Sequence, residues 1–230
     1  MNSFAPAQPI SALPFARTKT SVDDLYPQVF DAILEQRLVP SSRFTEESLA
    51  DLFGTSRSSI RQVLTRLSHQ QIIIVRPNHR PKVAALDAEQ TRQTLHARRL
   101  TEITLVRLAC QQPCPQDLQR LRVLIEQERQ CTQRGPAIRL AGEFHLQLAE
   151  MAGNAPLAHF LGSLVPMTAL AIARFGGQTQ SCCEWQAHAG IVDALEGGDV
   201  AMAVRLMGQC LDQIEGALLN PETCQDCIAN

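Results

Sequence analysis

TSRSSIRQVLTRLS, running from Thr55 to Ser68, places Ile60, Val63, Leu64 and Leu67 at i, i+3, i+4 and i+7, one apolar stripe of an α-helix. At about 100° per residue, Arg57, Ser58, Arg61 and Thr65 gather on the opposite, polar side. Gly54 can end a preceding helix in the left-handed conformation, and Ser56 can cap the new one. An ordinary amphipathic helix has the same stripe. Two arginines among short hydroxyls opposite a buried stripe, however, are what a helix needs to enter a DNA major groove. Arginine forks onto guanine edges or phosphates, and Ser and Thr allow close approach.

The flanking residues favour the DNA reading. Upstream, Thr45 can cap a short helix, EESLADLF, with Phe44 and Leu49 at the hydrophobic-staple spacing. That helix stops at Gly54, so two short helices meet at a tight turn, a helix-turn-helix. Before them, Ser21 and Asp24 resemble a capping box, and Val22, Leu25, Val29 and Ile33 mark a helix to about Gln36. Downstream, the β-branched run Ile72–Val75, the turn residues 76–81 and Lys82–Ala85 predict a hairpin. Its tip carries Arg76, His79, Arg80 and Lys82, suited to the duplex backbone or the minor groove. Residues 21–85 therefore read as a winged helix-turn-helix, preceded by a Pro- and Ala-rich flexible arm, 1–20.

From residue 86 the periodicity is helical throughout. Six helices are expected: Ala88–Gln112, Pro115–Cys131, one ending near Met151 after Gly135-Pro136, Leu157–Phe175, Ser181–Glu196 and Val200–Leu218. Leu95, Leu100, Ile103, Leu105, Val106 and Leu108 are the candidate core of the first. The fold class is mainly α: an N-terminal winged helix-turn-helix plus a C-terminal all-α six-helix bundle over residues 86–220, with a tail over 221–230.

Charge follows the same division. Phe15–Ala85 holds ten Lys/Arg against seven Asp/Glu, and Leu86–Asn230 eleven against sixteen, so a net −2 chain has a basic front and an acidic remainder. That fits a nucleic-acid module attached to a domain that does not touch nucleic acid. No uninterrupted apolar run approaches the roughly 18 residues of a membrane span, and the N-terminus has no secretory pattern, so a cytoplasmic protein with no membrane contact is expected. All eight cysteines lie after residue 86, and most read as reduced and structural; Cys224 and Cys227 form a lone CxxC.

The arrangement resembles the GntR family of bacterial transcription regulators, in the FadR/FCD branch with an all-helical effector domain, VanR-like in its helix count. Glu46-x-x-Leu49-Ala50, Thr55-Ser56-Arg57-Ser58-Ser59-Ile60-Arg61-x-x-Leu64-x-x-Leu67 and the Ile72–Val83 wing carry the resemblance in the first part. Arg98-x-x-x-Glu102, Glu143-Phe144-His145-x-x-Leu148, Gly153-Asn154-x-x-Leu157 and His188-x-x-Ile191-x-x-Ala194-Leu195-x-x-Gly198-Asp199 carry it in the second. The resemblance implies a homodimer on double-stranded operator DNA, with Arg57, Ser58, Ser59, Arg61 and Thr65 at the duplex. The wing residues Asn78, His79 and Arg80 stand where the family has a Gly-containing tip.

The family also implies a divalent metal held by Asp and His one helical turn apart plus two further histidines, gripping a carboxylate effector. Here His145 and His188 match, but Ala141 stands at the Asp position and Cys210 at the last His position. His145, His188 and Cys210 form an N₂S set that favours zinc, with Glu184 one turn before His188 as a fourth candidate. The same residues can instead bind a ligand directly, without metal. Arg98 matches a pocket arginine for an anionic effector, and Glu102 one turn on is its alternative partner. A thiol- or metal-responsive sensor is the second reading. A zinc hydrolase finds no nucleophile beside a base and no HExxH, so no enzyme is expected.

Overall fold

The computed structural model describes residues 21–111, 113–176 and 185–219. Each helix of the first part starts where a side chain satisfies an orphan amide. Ser21 accepts from the Asp24 amide and opens α1 (Val22–Leu34). Thr45 and Ser48 form a reciprocal capping box on α2 (Glu46–Leu52), and Ser56 accepts from the Ser59 amide at the start of α3 (Arg57–His69). Between α2 and α3 the chain turns through Gly54 at φ +61°, the left-handed region where a side chain is strained. The apolar stripe of α3 faces inward: Ile60, Val63, Leu64 and Leu67 are all buried.

The wing is shorter than its sequence suggests. Strand β1 (Ile73–Ile74) pairs antiparallel with β2 (Lys82–Val83), Ile73 opposite Val83 and Ile74 opposite Lys82. Ile72 and Val75 are outside the strands, Ile72 nonetheless fully buried. Asn78 at the tip adopts φ +59°, the conformation Asn tolerates in place of glycine.

Among the described residues the second part contains α4 (Ala88–Ala109), α5 (Pro115–Gln130), α6 (Arg134–Met151), α7 (Ala155–Phe175), α8 (Trp185–Glu196) and α9 (Val200–Leu219). Two expectations change. Gly135 and Pro136 do not separate α6 from what precedes it; they lie in its first turn, where proline is tolerated because its missing N–H has no helical partner. Leu100, expected in the core, is 63% exposed. The buried side of α4 is instead partly polar, including Thr94, Arg98, Thr101 and Glu102. Residues 181–184, including Glu184, and the Cys224/Cys227 pair lie outside the described residues.

Helix α7 is long and apolar enough to cross a membrane by length and composition, yet it packs against α4, α6 and α9 and half of its apolar window is buried. Pro166 sits within it, buried.

The two parts are tied through α1, which packs on α3 on one side and on α6 and α7 on the other. Arg139 of α6 forks onto Asp31 of α1 at 2.8 and 3.2 Å and reaches Glu143 at 2.9 Å. Gln36 and Arg134 both donate to the Ala173 carbonyl at the end of α7. The close approach of α1 to α6 needs a glycine. A Cβ on Gly135 falls 2.6 Å from Glu35 Cγ and 3.0 Å from the Asp31 backbone oxygen.

Gly135→Ala is therefore expected to push α1 off α6 and to lower stability by about 1–3 kcal/mol, the range for overpacking a tight contact. Chemical denaturation of the two proteins checks this, and an unchanged midpoint contradicts the packing described.

Candidate functional site

Two groups of side chains stand out: the outer face of α3 with the wing, and a polar cluster in the bundle.

Arg57, Ser58, Arg61 and Thr65 are exposed on one side of α3, opposite its buried stripe, and Ser59 is half-buried beside them. The Ser56 hydroxyl joins those of Ser58 and Ser59 at 2.9 and 2.8 Å, a hydroxyl cluster at the helix start. Thr65 turns its hydroxyl back onto the Arg61 carbonyl at 2.8 Å. Asn78, His79 and Arg80 are exposed at the wing tip.

Sequence reasoning did not assign a partner to Arg61. Glu46 of α2 holds its guanidinium in a fork, at 2.8 Å to Nε and 2.6 Å to a terminal nitrogen. Hydrogen bonds from Arg61 hold the Glu46 carboxyl below the usual range. Arg61 remains 64% exposed, so the pair aims it outward rather than burying it. A duplex engaging Arg61 competes with this carboxylate.

In the bundle, Arg98 and His145 both bond to Glu102. Arg98 Nε donates to Glu102 Oε1, and His145 Nδ1 lies 2.5 Å from Glu102 Oε2. A second imidazole is held the same way: His188 Nδ1 lies 2.7 Å from Glu128 Oε2 of α5. All five side chains are buried. With carboxylate oxygens as acceptors, both Nδ1 atoms donate, which leaves both Nε2 lone pairs free. Those Nε2 atoms converge on Cys210 Sγ, each at 3.9 Å. The three donor atoms lie within 4.8 Å of one another. Phe144 stacks on the His188 ring at 4.1 Å between centroids and meets the His145 ring edge-on at 5.6 Å, giving the cluster an apolar wall.

Burial drives the His145 imidazole down to about 4 despite the neighbouring Glu102 carboxylate, so it is neutral at pH 7. Burial also opposes ionisation of Glu102, but Arg98 and His145 outweigh it and hold the carboxyl below its ordinary value. Two imidazole Nε2 atoms and a sulfur facing one point suit a borderline-soft cation such as zinc. Cys210 is disulfide-bonded in this structure, so the N₂S set is complete only after reduction.

Ala141 offers no ligand in place of the family's Asp, and Glu143 faces α1 instead, paired with Arg139 at 2.9 Å. The sequence reading did not single out Glu128 and took Glu102 only as a partner for Arg98. A signal was there: Leu118, Leu121, Ile125 and Glu128 continue one helical stripe, as do Arg98, Glu102, Leu105 and Ala109.

An exposed arginine face on a helix-turn-helix, a basic wing and a helical bundle with a polar donor cluster together define a DNA-binding regulator with a sensing domain. Residues 22–83 match the bacterial regulatory proteins of the gntR family, and residues 93–213 match the FCD domain. The chain belongs to the GntR family of transcription regulators, in its FCD branch, and is not an enzyme.

An Nta operon transcriptional regulator from Aminobacter aminovorans is 29% identical over 127 residues, 54% of this chain and 60% of that protein. The match thus spans less than two thirds of that relative. Among solved structures, E. coli McbR/YncC superposes with a TM-score of 0.69 at 19% identity, covering 86% of this chain and 97% of that one. A GntR regulator from Rhodococcus sp. RHA1 gives 0.64 at 18% identity over 86% and 97% of the two chains. At those identities the likeness is one of fold.

The neutral, buried His145 makes stability depend on pH. Its folded pKa, about 4, lies below the ordinary imidazole value near 6.5, so its contribution is complete above about pH 6.5 and is lost as pH falls toward 4. The urea midpoint is expected to drop between pH 7 and 5, and to drop less in His145→Gln. A wild-type midpoint that is flat over that window contradicts the burial argument.

Proposed function

We propose that this regulator is a dimeric, cytoplasmic repressor that binds two operator half-sites through paired α3 helices, and whose operator affinity is set by what occupies the bundle at His145, His188 and Cys210. The observation that carries the reading is the convergence of both Nε2 atoms on the Cys210 sulfur in a buried, apolar-walled site. On the DNA side Arg57, Ser58, Ser59, Arg61 and Thr65 read or grip the duplex in the major groove, and Asn78, His79 and Arg80 meet its backbone.

His145, His188 and Cys210, once reduced, would hold a zinc ion, which would supply positive charge for a small anion such as a carboxylate. Arg98 is the second receptor for that anion, and its pair with Glu102 has to open to serve as one. Helix α6 is suited to carry the response. It bears His145 at the cluster and Arg139 at α1, and α1 is joined to α3 by Tyr26, which donates to Gln70 at 2.8 Å and lies 4.0 Å beneath the Arg66 guanidinium. An occupant shifts the equilibrium between dimer geometries only by its difference in affinity for them, typically about 1–3 kcal/mol.

A second reading, a thiol-responsive regulator, is favoured by the disulfide at Cys210. In that reading a small-molecule disulfide oxidises two protein thiols by exchange and is released as two thiols, and the imidazoles lose their sulfur partner. Operator affinity that changes with thiol reductant, in chelated buffer with no metal or metabolite added, supports it; identical affinity rejects it.

The main reading is tested by band shift on the promoter of the protein's own gene or its neighbour. Arg57→Ala with Arg61→Ala is expected to abolish specific binding, a loss of at least about 30-fold if each guanine contact contributes about 1–3 kcal/mol. Undiminished binding removes α3 as the reading helix.

A further inference from the structure

Resting on the cation reading of the His145/His188/Cys210 cluster, we infer that Glu128 and Glu102 are the positioning residues of that site, fixing both imidazole tautomers and supplying the charge a divalent cation needs. With no anion bound, Arg98 serves Glu102 as its counter-charge, the closed pair seen in the structure.

Three observations support this. First, each ligand imidazole has its Nδ1 on a carboxylate from a different helix, Glu102 of α4 for His145 and Glu128 of α5 for His188. Such carboxylate–imidazole pairs fix ring orientation, commit Nε2 to a metal and raise its basicity. Second, the two carboxylates are not equivalent. Glu102 has both oxygens bonded, one of them to a guanidinium, whereas Glu128 Oε1 is buried with no hydrogen-bond partner among the described residues. A buried carboxylate oxygen without a hydrogen bond is costly unless positive charge is brought nearby.

Third, the formal charges fit. Among the described residues, the buried Lys, Arg, Asp and Glu side chains are Arg98, Glu102 and Glu128. One guanidinium against two carboxylates leaves −1; Cys210, disulfide-bonded in this structure, adds a further negative charge only once it is reduced and bound to the cation as a thiolate, making −2. A divalent cation with two neutral imidazoles brings the cluster to zero. Without Glu128 the same cation leaves a buried excess of positive charge, and with neutral donors in place of Cys210 the imbalance grows.

The experiment uses full-length reduced protein with zinc and, as a spectroscopic reporter, cobalt(II). Chelator competition gives the zinc Kd, and the thiolate-to-cobalt charge-transfer band reports whether Cys210 is a ligand. Wild type is expected to bind one ion with that band present, and Cys210→Ser to lose the band. Glu128→Gln, which keeps an acceptor for His188 but removes the charge, is expected to bind zinc about 10–100-fold more weakly with the cobalt band retained. Glu102→Gln is expected to behave similarly.

If Glu128→Gln does not fold, Glu128→Asp, with the charge kept and the reach shortened, is expected to weaken binding about tenfold with an unchanged band. Wild type that binds neither ion under reductant overturns the cation reading itself. Wild type that binds while the Glu128 variant matches it within twofold overturns the assignment of Glu128 alone.

Discussion

Arg98, Glu102 and His145 form a continuous polar chain inside a helical bundle, and the second part of the structure is arranged around the need to satisfy it. Placing a guanidinium and a carboxylate out of water costs several kcal/mol per ion, offset only when the geometry is good and the remaining polar atoms find partners. α4 brings both charges, one turn apart; α6 brings the imidazole that takes the second carboxylate oxygen. α5 and α8 repeat the scheme with Glu128 and His188, and α9 closes the centre with Cys210. Removing one member of such a set leaves a buried charge without its partner, which typically costs about 3–5 kcal/mol.

The DNA-facing part obeys the opposite logic. Its charged side chains stay in water, and its fold is fixed by capping hydroxyls, the left-handed Gly54 and four buried residues of α3. Glu46 then aims Arg61 outward through a forked pair that is too exposed to add much stability. α1 connects the two regimes. It is seated on α6 by Asp31 and the close approach at Gly135, and on α3 through Tyr26. α6 and α3 are thus joined through packed contacts with α1 rather than through a loose linker.

How much of this could be read in the sequence depended on whether the signal was local. Ser21, Thr45 and Ser56 act within three residues of themselves, so their caps and the α3 stripe were legible. The Gly135-Pro136 pair read as a break because hydropathy does not tell a first helical turn from a loop. Leu100 read as core because it is apolar, whereas the polar Arg98 and Glu102 are the buried neighbours; each is buried because of a partner, not because of its own hydropathy. His145, His188 and Cys210 came from the family resemblance, since spacings of 65 and 22 residues carry no helical period. Glu128 is 60 residues from the histidine it holds and left only its place on an otherwise apolar stripe.

The account turns on whether the buried cluster governs the outer face of α3. The direct measurement is the operator Kd of the reduced full-length protein at buffered free zinc, from chelated to saturating, by fluorescence anisotropy. A shift of about fivefold or more that disappears in His145→Gln or Cys210→Ser is the predicted result, matching a coupling of about 1 kcal/mol or larger. Operator affinity independent of zinc while the ion demonstrably binds contradicts it.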